Sequence, residues 1–384
     1  MNWPQIDLGD IAEFRNGLNY TKDSEGTGLR IISVKDFGNK FLPKYEELDE
    51  INPNGILRNE ALLKHGDIIF VRSNGNKDLV GRSLFINNPP DNVSFSAFCI
   101  RVRMDESVNP RFYAYFFKTP NFRKKLSLLG RGTNISNLNQ QVLRRLEVPN
   151  PLQPVKSKVV KLICSYDDLI ENDRRGIQLP EQAARLLYKE WFVHLRFPGH
   201  EHVRVMDGVP EGWKQMQVKN VLEKLNRPKK IKQSEYLPEG PIPCVDQSRD
   251  FIGGYTYDED AVIDIGRSVI VFGDHTRILK YVDFPFACGA DGTQLIVSND
   301  PGVSQEFLYF ALDAIDLTNY FYARHFKFLK DQFIPRPKDV IISQFSDVVR
   351  PTLNQIKLLS AHCERLAKAR DLLLPRLMKG VLVI

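Results

Sequence analysis

Asn88-Pro89-Pro90-Asp91 is the stretch that comes nearest to catalytic machinery. Enzymes that methylate the amino groups of bases hold a flipped-out base with Asn/Asp-Pro-Pro followed by an aromatic ring, which stacks on the base. Asp91 occupies the ring's place here, so the four residues read as a turn. Neither Gly253-Gly254 nor Gly130-Arg131-Gly132 stands at the strand-to-helix turn that cradles a nucleotide-bearing cofactor, and no Gly-Lys-Ser/Thr phosphate loop is present. No set of carboxylates clustered with a lysine on adjacent strands suggests a nuclease. His200 and His202 form a His-x-His without a third ligand at metal spacing. Cys99, Cys164, Cys244, Cys288 and Cys363 include no Cys-x-x-Cys pair and read as reduced thiols of a cytoplasmic protein. No catalytic residue, metal ligand or cofactor site is assigned.

The other chemistry on offer is hydrogen bonding to a polyanion. The formal charge of +6 over 384 residues is modest, so local clustering matters more than the total. Arg72, Ser73, Asn74, Asn76 and Lys77 follow an apolar run and lead to Arg82, while Arg131, Asn134, Asn137 and Gln140 make a second polar stretch. Arg227, Lys229, Lys230 and Lys232 form the densest positive run, suited to phosphate. His275, Arg277 and Lys280 follow another apolar run, and Arg324, His325 and Lys327 lie among aromatics. Arg matches the acceptors of guanine, and Asn or Gln the edge of adenine, whereas phosphate contacts set only register.

The elements that would carry these loops occur twice. Trp3-Pro4-Gln5-Ile6 answers to Trp213-Lys214-Gln215-Met216, and Ile31-Ile32-Ser33-Val34 to Ile242-Pro243-Cys244-Val245. Gly66-Asp67-Ile68-Ile69-Phe70-Val71 answers to Gly266-Arg267-Ser268-Val269-Ile270-Val271, and the aromatic helix opening at Asn109-Pro110 to the one opening at Ser304-Gln305. Val148-Pro149-Asn150-Pro151 answers to Ile334-Pro335-Arg336-Pro337. The offset is far longer than the 20 to 50 residues of stacked repeats, so whole domains are duplicated.

Residues 1–151 alternate short apolar runs (Leu29 to Val34, Ile68 to Arg72, Arg82 to Ile86, Phe98 to Val102) with Gly, Pro and Asn clusters, the pattern of an α+β globule. Residues 152–196 change to steps of four and three through Val155, Val159, Leu162, Tyr166, Leu169, Asp173 and Ile177, resuming at Ala183, Leu187 and Trp191. Pro180 should kink or interrupt that helix. After a breaker-rich linker, 197–212, a second globule spans 213–338. A second helix spans 339–384, with its seam at Phe345, Val349, Thr352, Ile356, Leu359, Cys363, Leu366, Leu373 and Leu377. Two matched seams predict an antiparallel, coiled-coil-like pair separating two similar domains. No apolar run approaches the roughly 18 residues of a membrane span, and Met1 to Asp7 is no signal peptide.

These landmarks together resemble the specificity subunit of type I restriction-modification systems. The resemblance is carried by Trp3 with Leu8-Gly9-Asp10-Ile11 and Gly17, by Gly66-Asp67-Ile68, and by Ile135 to Leu138 running to Pro151. Leu186 to Phe192, Gly208-Val209-Pro210-Glu211-Gly212-Trp213 and Arg370 to Gly380 complete it, so that it covers essentially the whole chain. It implies two target-recognition domains, each reading half of a bipartite double-stranded DNA sequence. It also implies a helical spacer that docks two methyltransferase subunits, with a motor-nuclease restriction subunit joining where present, and no catalysis by the chain itself. The alternative is a stand-alone DNA methyltransferase or nuclease with unrecognised motifs. About 30 helical residues extend roughly 45 Å, near 13 base pairs of duplex. Deleting one heptad from both helices should therefore shorten the unread spacer in the recognised sequence and leave both half-sequences intact, as read by methylome sequencing; an unchanged spacer would refute the ruler.

Overall fold

The computed structural model describes residues 3–21, 24–38, 40–129, 138–223, 225, 229–290, 292–319 and 324–382. The chain divides into two compact units, Met1–Asn172 with His362–Ile384, and Asp173–Ala361. The divisions fall inside the long helices, so each globular part keeps one end of both.

In the first unit, β1 (Gln5–Asp7) is followed by β2 (Ala12–Asn16), β3 (Glu25–Ile32), β4 (Asp49–Ile51), β5 (Ile68–Val71), β6 (Ser83–Phe85), β7 (Val93–Phe95) and β8 (Cys99–Met104). The strands form one sheet ordered β2-β8-β5-β6 and another ordered β4-β3-β7, in which β3 and β7 run parallel. β5 is buried along its whole length. Ile68 and Phe70 enter one core with Phe112 and Phe117, while Ile69 and Val71 enter a second with Ile32 and Phe95. Both faces of this strand are covered, which is why the run is uninterruptedly apolar. Gly66 turns the chain into it at φ +92°, a conformation costly for any residue with a Cβ. Asp67 is 1% exposed and takes two 2.7 Å bonds from Arg103, so its charge is matched where it is buried.

Two caps start the aromatic helices. α1 (Pro110–Phe116) begins with the Asn109 side chain accepting from the amides of Arg111 and Phe112, and proline stands at the first position, where no amide hydrogen is needed. α2 (Pro120–Leu129), α3 (Gln140–Arg144) and β9 (Glu147–Pro149) follow, and β9 pairs antiparallel with β1. The apolar-Pro-x-Pro element thus closes the globule onto its opening strand.

The second unit repeats most of this wiring, although the sheet around its central strand has three strands where the first unit's has four. The minor strands β10 (Val205–Met206) and β11 (Val209–Pro210) form a two-stranded pair. Then come β12 (Lys214–Gln217), β13 (Ile242–Val245), β14 (Gly254–Thr256), β15 (Val262–Ile263), β16 (Val269–Gly273), β17 (Leu279–Val282), β18 (Phe286–Cys288) and β19 (Thr293–Ile296). β13 and β18 are parallel, like β3 and β7. β16 lies between β17 and β19, as β5 lies between β6 and β8, and its side chains alternate between two cores in the same way. α5 (Gln305–Asp313) is capped by Ser304, α6 (His325–Asp331) follows, and β20 (Phe333–Arg336) pairs with β12. The Gly-Asp of the first unit is Gly-Arg here, and Arg267 instead pairs with Glu223 and donates to the Ser298 carbonyl.

Helices α4 (Gln153–Tyr188) and α7 (Asp339–Met378) run antiparallel within each unit. In the first, Asp167 bonds Arg370 at 2.7 Å and the Ile170 carbonyl meets Cys363. In the second, Gly176 faces Leu359 and Tyr188 meets Phe345. The buried stripe of α4 differs from the expected seam by about one position. Val159 and Asp173 of that seam are buried, but the rest of the stripe is Ile163, Ile170, Ala184 and Tyr188, continued by Phe192 just beyond the helix, whereas Leu169 is 47% exposed and Leu162, Leu187 and Trp191 form the flanks. The expectation failed because α4 packs on a globular part as well as on α7, so its apolar face is wider than a two-helix seam and several 4-3 ladders fit it. Pro180 does not interrupt α4. It removes one hydrogen bond, worth about 1 kcal/mol net, against a long stripe of burial on both sides. Among the described residues no helix is long and apolar enough to cross a membrane.

Ile163→Ala should cost roughly 2–5 kcal/mol in denaturant unfolding, and Leu169→Ala less than about 1. Equal losses would restore the expected seam.

Candidate nucleic-acid interface

The loops after β5 and β16 leave the sheet in the same way. The Arg72 amide donates to the Phe98 carbonyl at 2.7 Å, and the Arg72 carbonyl accepts from the Leu138 amide at 2.7 Å. The Asp274 amide donates to Gly292 at 2.7 Å, and its carbonyl accepts from the His325 amide at 3.0 Å. These bonds align Arg72 with Asp274. The side chains then part company, because Asp274 is buried and its carboxylate caps α6 through the Phe326 amide.

Beyond Arg72 and Ser73, both half-buried, two Asx turns shape the loop. Asn74 Oδ1 accepts from the Asn76 amide at 2.8 Å and Asn76 Oδ1 from the Asp78 amide at 3.0 Å, which leads into a 3-10 turn at Lys77–Leu79. Arg82 closes the loop by donating to the carbonyls of Asp78 and Gly38. Two cations that the sequence reading missed join it. Arg123 donates to the carbonyls of Asp78 and Val80, and Lys118 to those of Lys40 and Ser83. Burial, with Arg82 and Arg123 nearby, pushes Lys118 down to about 8. Three cations held by backbone carbonyls concentrate positive potential at this loop. Arg123's signal in the sequence was a basic helix, which is usually a solvated face, and Lys118 lies in the turn before that helix. Phe98, expected to begin a strand, is instead 61% exposed beside Arg72, with β8 starting one residue later.

Of the second-unit candidates, His275 and Arg277 are exposed; Arg277 sits at φ +62° and donates to the Leu317 carbonyl. Lys280 is a correction, being 4% exposed, bonded to the Asp250 carbonyl at 2.6 Å and 3.7 Å from Asp246, so it cannot reach a phosphate from there. The reason is its place inside β17, facing inward. His325 is likewise buried, at the start of α6 between exposed Arg324 and exposed Lys327. Lys229 pairs with Asp258, Lys230 donates to the carbonyls of Ala290 and Thr293, and Lys232 is exposed. Gln140 opens α3 behind its cap, Asn139. Arg131, Asn134, Asn137 and Arg227 lie outside the described residues. Asn88 to Asp91 lies between β6 and β7, with Asn88 at φ +45°. His200 bonds the Phe197 carbonyl and faces Glu201. Among the described residues no group of three His, Cys, Asp or Glu could hold a metal ion.

The fold is a duplicated α+β domain, with polar loops at matching strand ends and two long helices. Residues 1–180 match the type I restriction modification DNA specificity domain. The fold is that of the type I restriction-modification S subunit from M. genitalium, with a TM-score of 0.59 at 14% identity over 98% of this chain and 96% of that one. Among the chain's relatives, the MjaIX specificity subunit of Methanocaldococcus jannaschii is 22% identical over 72% of this chain and 70% of its own length. The StySPI specificity subunit of Salmonella potsdam is 30% identical over 48% of this chain and 40% of its own.

With its folded value near 8 and an ordinary value of 10.5, Lys118 binds fewer protons folded than unfolded between those pH values, so its penalty on stability is full below pH 8 and is relieved as pH rises. The melting temperature of wild type minus that of Lys118→Met should increase from pH 7.5 to 10. A flat difference would mean that the ammonium is solvated.

Proposed function

We propose that this chain is the DNA-recognition subunit of a type I restriction-modification assembly, each unit reading one half of a bipartite duplex sequence. The observation that carries this is the shared backbone anchor, in which Arg72 and Asp274 stand in the same pair of main-chain bonds and present different loops. Main-chain bonding tolerates any side chain, so two loops can diverge on one frame and read two sequences. Arg72, followed by exposed Asn76, is suited to base edges in the major groove. Exposed Lys232, Arg324 and Lys327 are suited to phosphates.

The helices would space the two domains and dock two methyltransferase subunits, with the restriction subunit joining where the system has one. The chain itself performs no catalysis and carries no cofactor in this reading, and it works in the cytoplasm, where the DNA is. A helix pair whose exposed faces carry leucines such as Leu179, Leu186, Leu358 and Leu372 suits a partner-covered surface.

Methylome sequencing of cells expressing the modification subunit with and without this chain tests the proposal, and a bipartite methylated motif should appear only with it. Arg72→Ala should relax one position in one half, losing about 1–3 kcal/mol of discrimination. If methylation instead falls equally at every site, Arg72 touches phosphate. Methyl transfer by the purified chain alone would overturn the non-catalytic role.

A further inference from the structure

We infer that Gln247-Ser248-Arg249-Asp250, directly after β13, is a base-reading loop of the second unit, with Arg249 as its reader and the buried Lys280–Asp246 pair as its positioning device. This rests on the function proposed above.

Both ends of the segment are held from below. Asp246 accepts from the Ser248 amide at 2.9 Å, from Ser248 Oγ at 2.5 Å and from the Tyr236 hydroxyl at 3.3 Å. Lys280 Nζ lies 3.7 Å from Asp246 and donates to the Asp250 carbonyl at 2.6 Å, so one buried ammonium ties the first residue of the turn to its last. Burial lowers the lysine's affinity for its proton and Asp246 opposes that shift, which is the balance of a buried ion pair. Glycines make room for the cluster. A Cβ on Gly253 would sit 2.8 Å from Asp246 Oδ2, and one on Gly254 would sit 2.6 Å from Tyr236 Cβ.

The segment is also joined to the loop after β16. The His275 amide donates to Gln247 Oε1 at 3.1 Å, and Thr276 Oγ1 donates to the Gln247 carbonyl at 2.7 Å. Arg249 and Asp250 are exposed, and so are His275 and Arg277 on the partner loop. The two loops are therefore tied into one surface.

Among its described residues the first unit has no counterpart of this device. Its equivalent turn is found from matching main-chain bonds, Ser96 amide to Ile32 carbonyl and Gly289 amide to Val245 carbonyl, each 3.0 Å. There the chain closes locally through the Ser33 amide on Asp36. The first unit has Arg72 at the end of its central strand, whereas the second has Asp274, a carboxylate already committed to capping α6. A unit whose strand-end position cannot supply an arginine gains one from the neighbouring loop, and the cost of burying Lys280 is explained if that loop must keep a fixed geometry. Bidentate contact to guanine O6 and N7 needs such fixity.

The test uses the assembly of this chain with its modification subunit, read by methylome sequencing. Arg249→Ala should lower base selectivity on the order of tenfold at one position, in one half-sequence only, with the other half and the spacer unchanged. Arg249→Lys should not restore it, since an ammonium lacks the guanidinium fork. Lys280→Met should relax the same position. Should that variant fail to fold, Arg249→Ala, altered at an exposed site, still decides. An unchanged motif in Arg249→Ala, or a uniform loss at all sites, overturns the inference. Absence of any bipartite motif with the wild-type chain would instead overturn the function on which it rests.

Discussion

Each unit depends on an apolar stripe that three partners share. In the first, Val159 and Ile163 of α4 and Leu374, Leu377 and Met378 of α7 enter the same core as Phe112 and Tyr113 of the globular part. In the second, Tyr188 and Phe192, then Phe345 and Val349, surround Phe307. A helix of this kind draws its stability from the face it buries rather than from propensity. Each globular part is completed by the start of one long helix and the end of the other. Toward the middle of α7, Ile356, Leu359 and Leu366 are only half-buried, so the packing is strongest where helix meets globule.

Apolar contact alone does not fix rotation about a helix axis, and polar groups supply that constraint. Asp167 accepts from the Tyr115 hydroxyl at 2.5 Å and from Arg370 at 2.7 Å, joining α1, α4 and α7. Burial and the neighbouring carboxylate push the tyrosine well above its ordinary range, keeping it a donor. In the second unit Arg350 bonds Glu306, and Arg185 bonds Asp313. The residues differ between copies while the three-element joint recurs. Frames held this firmly can carry loops that vary freely.

That freedom is visible at the ends of the central strands. The same two main-chain bonds hold Arg72 and Asp274, and no side chain takes part in them. One position has become a candidate reader and the other a helix cap. Around the first, Arg82, Lys118 and Arg123 brace the loop through backbone carbonyls. In the second, a carboxylate–lysine pair does comparable work from inside the sheet.

Duplication, the order of repeated landmarks and the existence of two long helices were legible in the order of residues, whereas the pairing of the Pro-x-Pro elements with the opening strands was not. The former depend on local periodicity and punctuation, which a sequence displays directly. The buried face of α4 was not, because 4-3 spacing admits neighbouring ladders, and the partner that chooses among them is remote in sequence. Nor was the fate of the cations. Lys280 and Arg277 look alike in a list of basic residues, yet one lies inside a sheet on a buried aspartate and the other on the surface. Whether a charge faces solvent or pins a loop is decided by what the fold brings within 3 Å of it, and that proximity exists only in the tertiary structure.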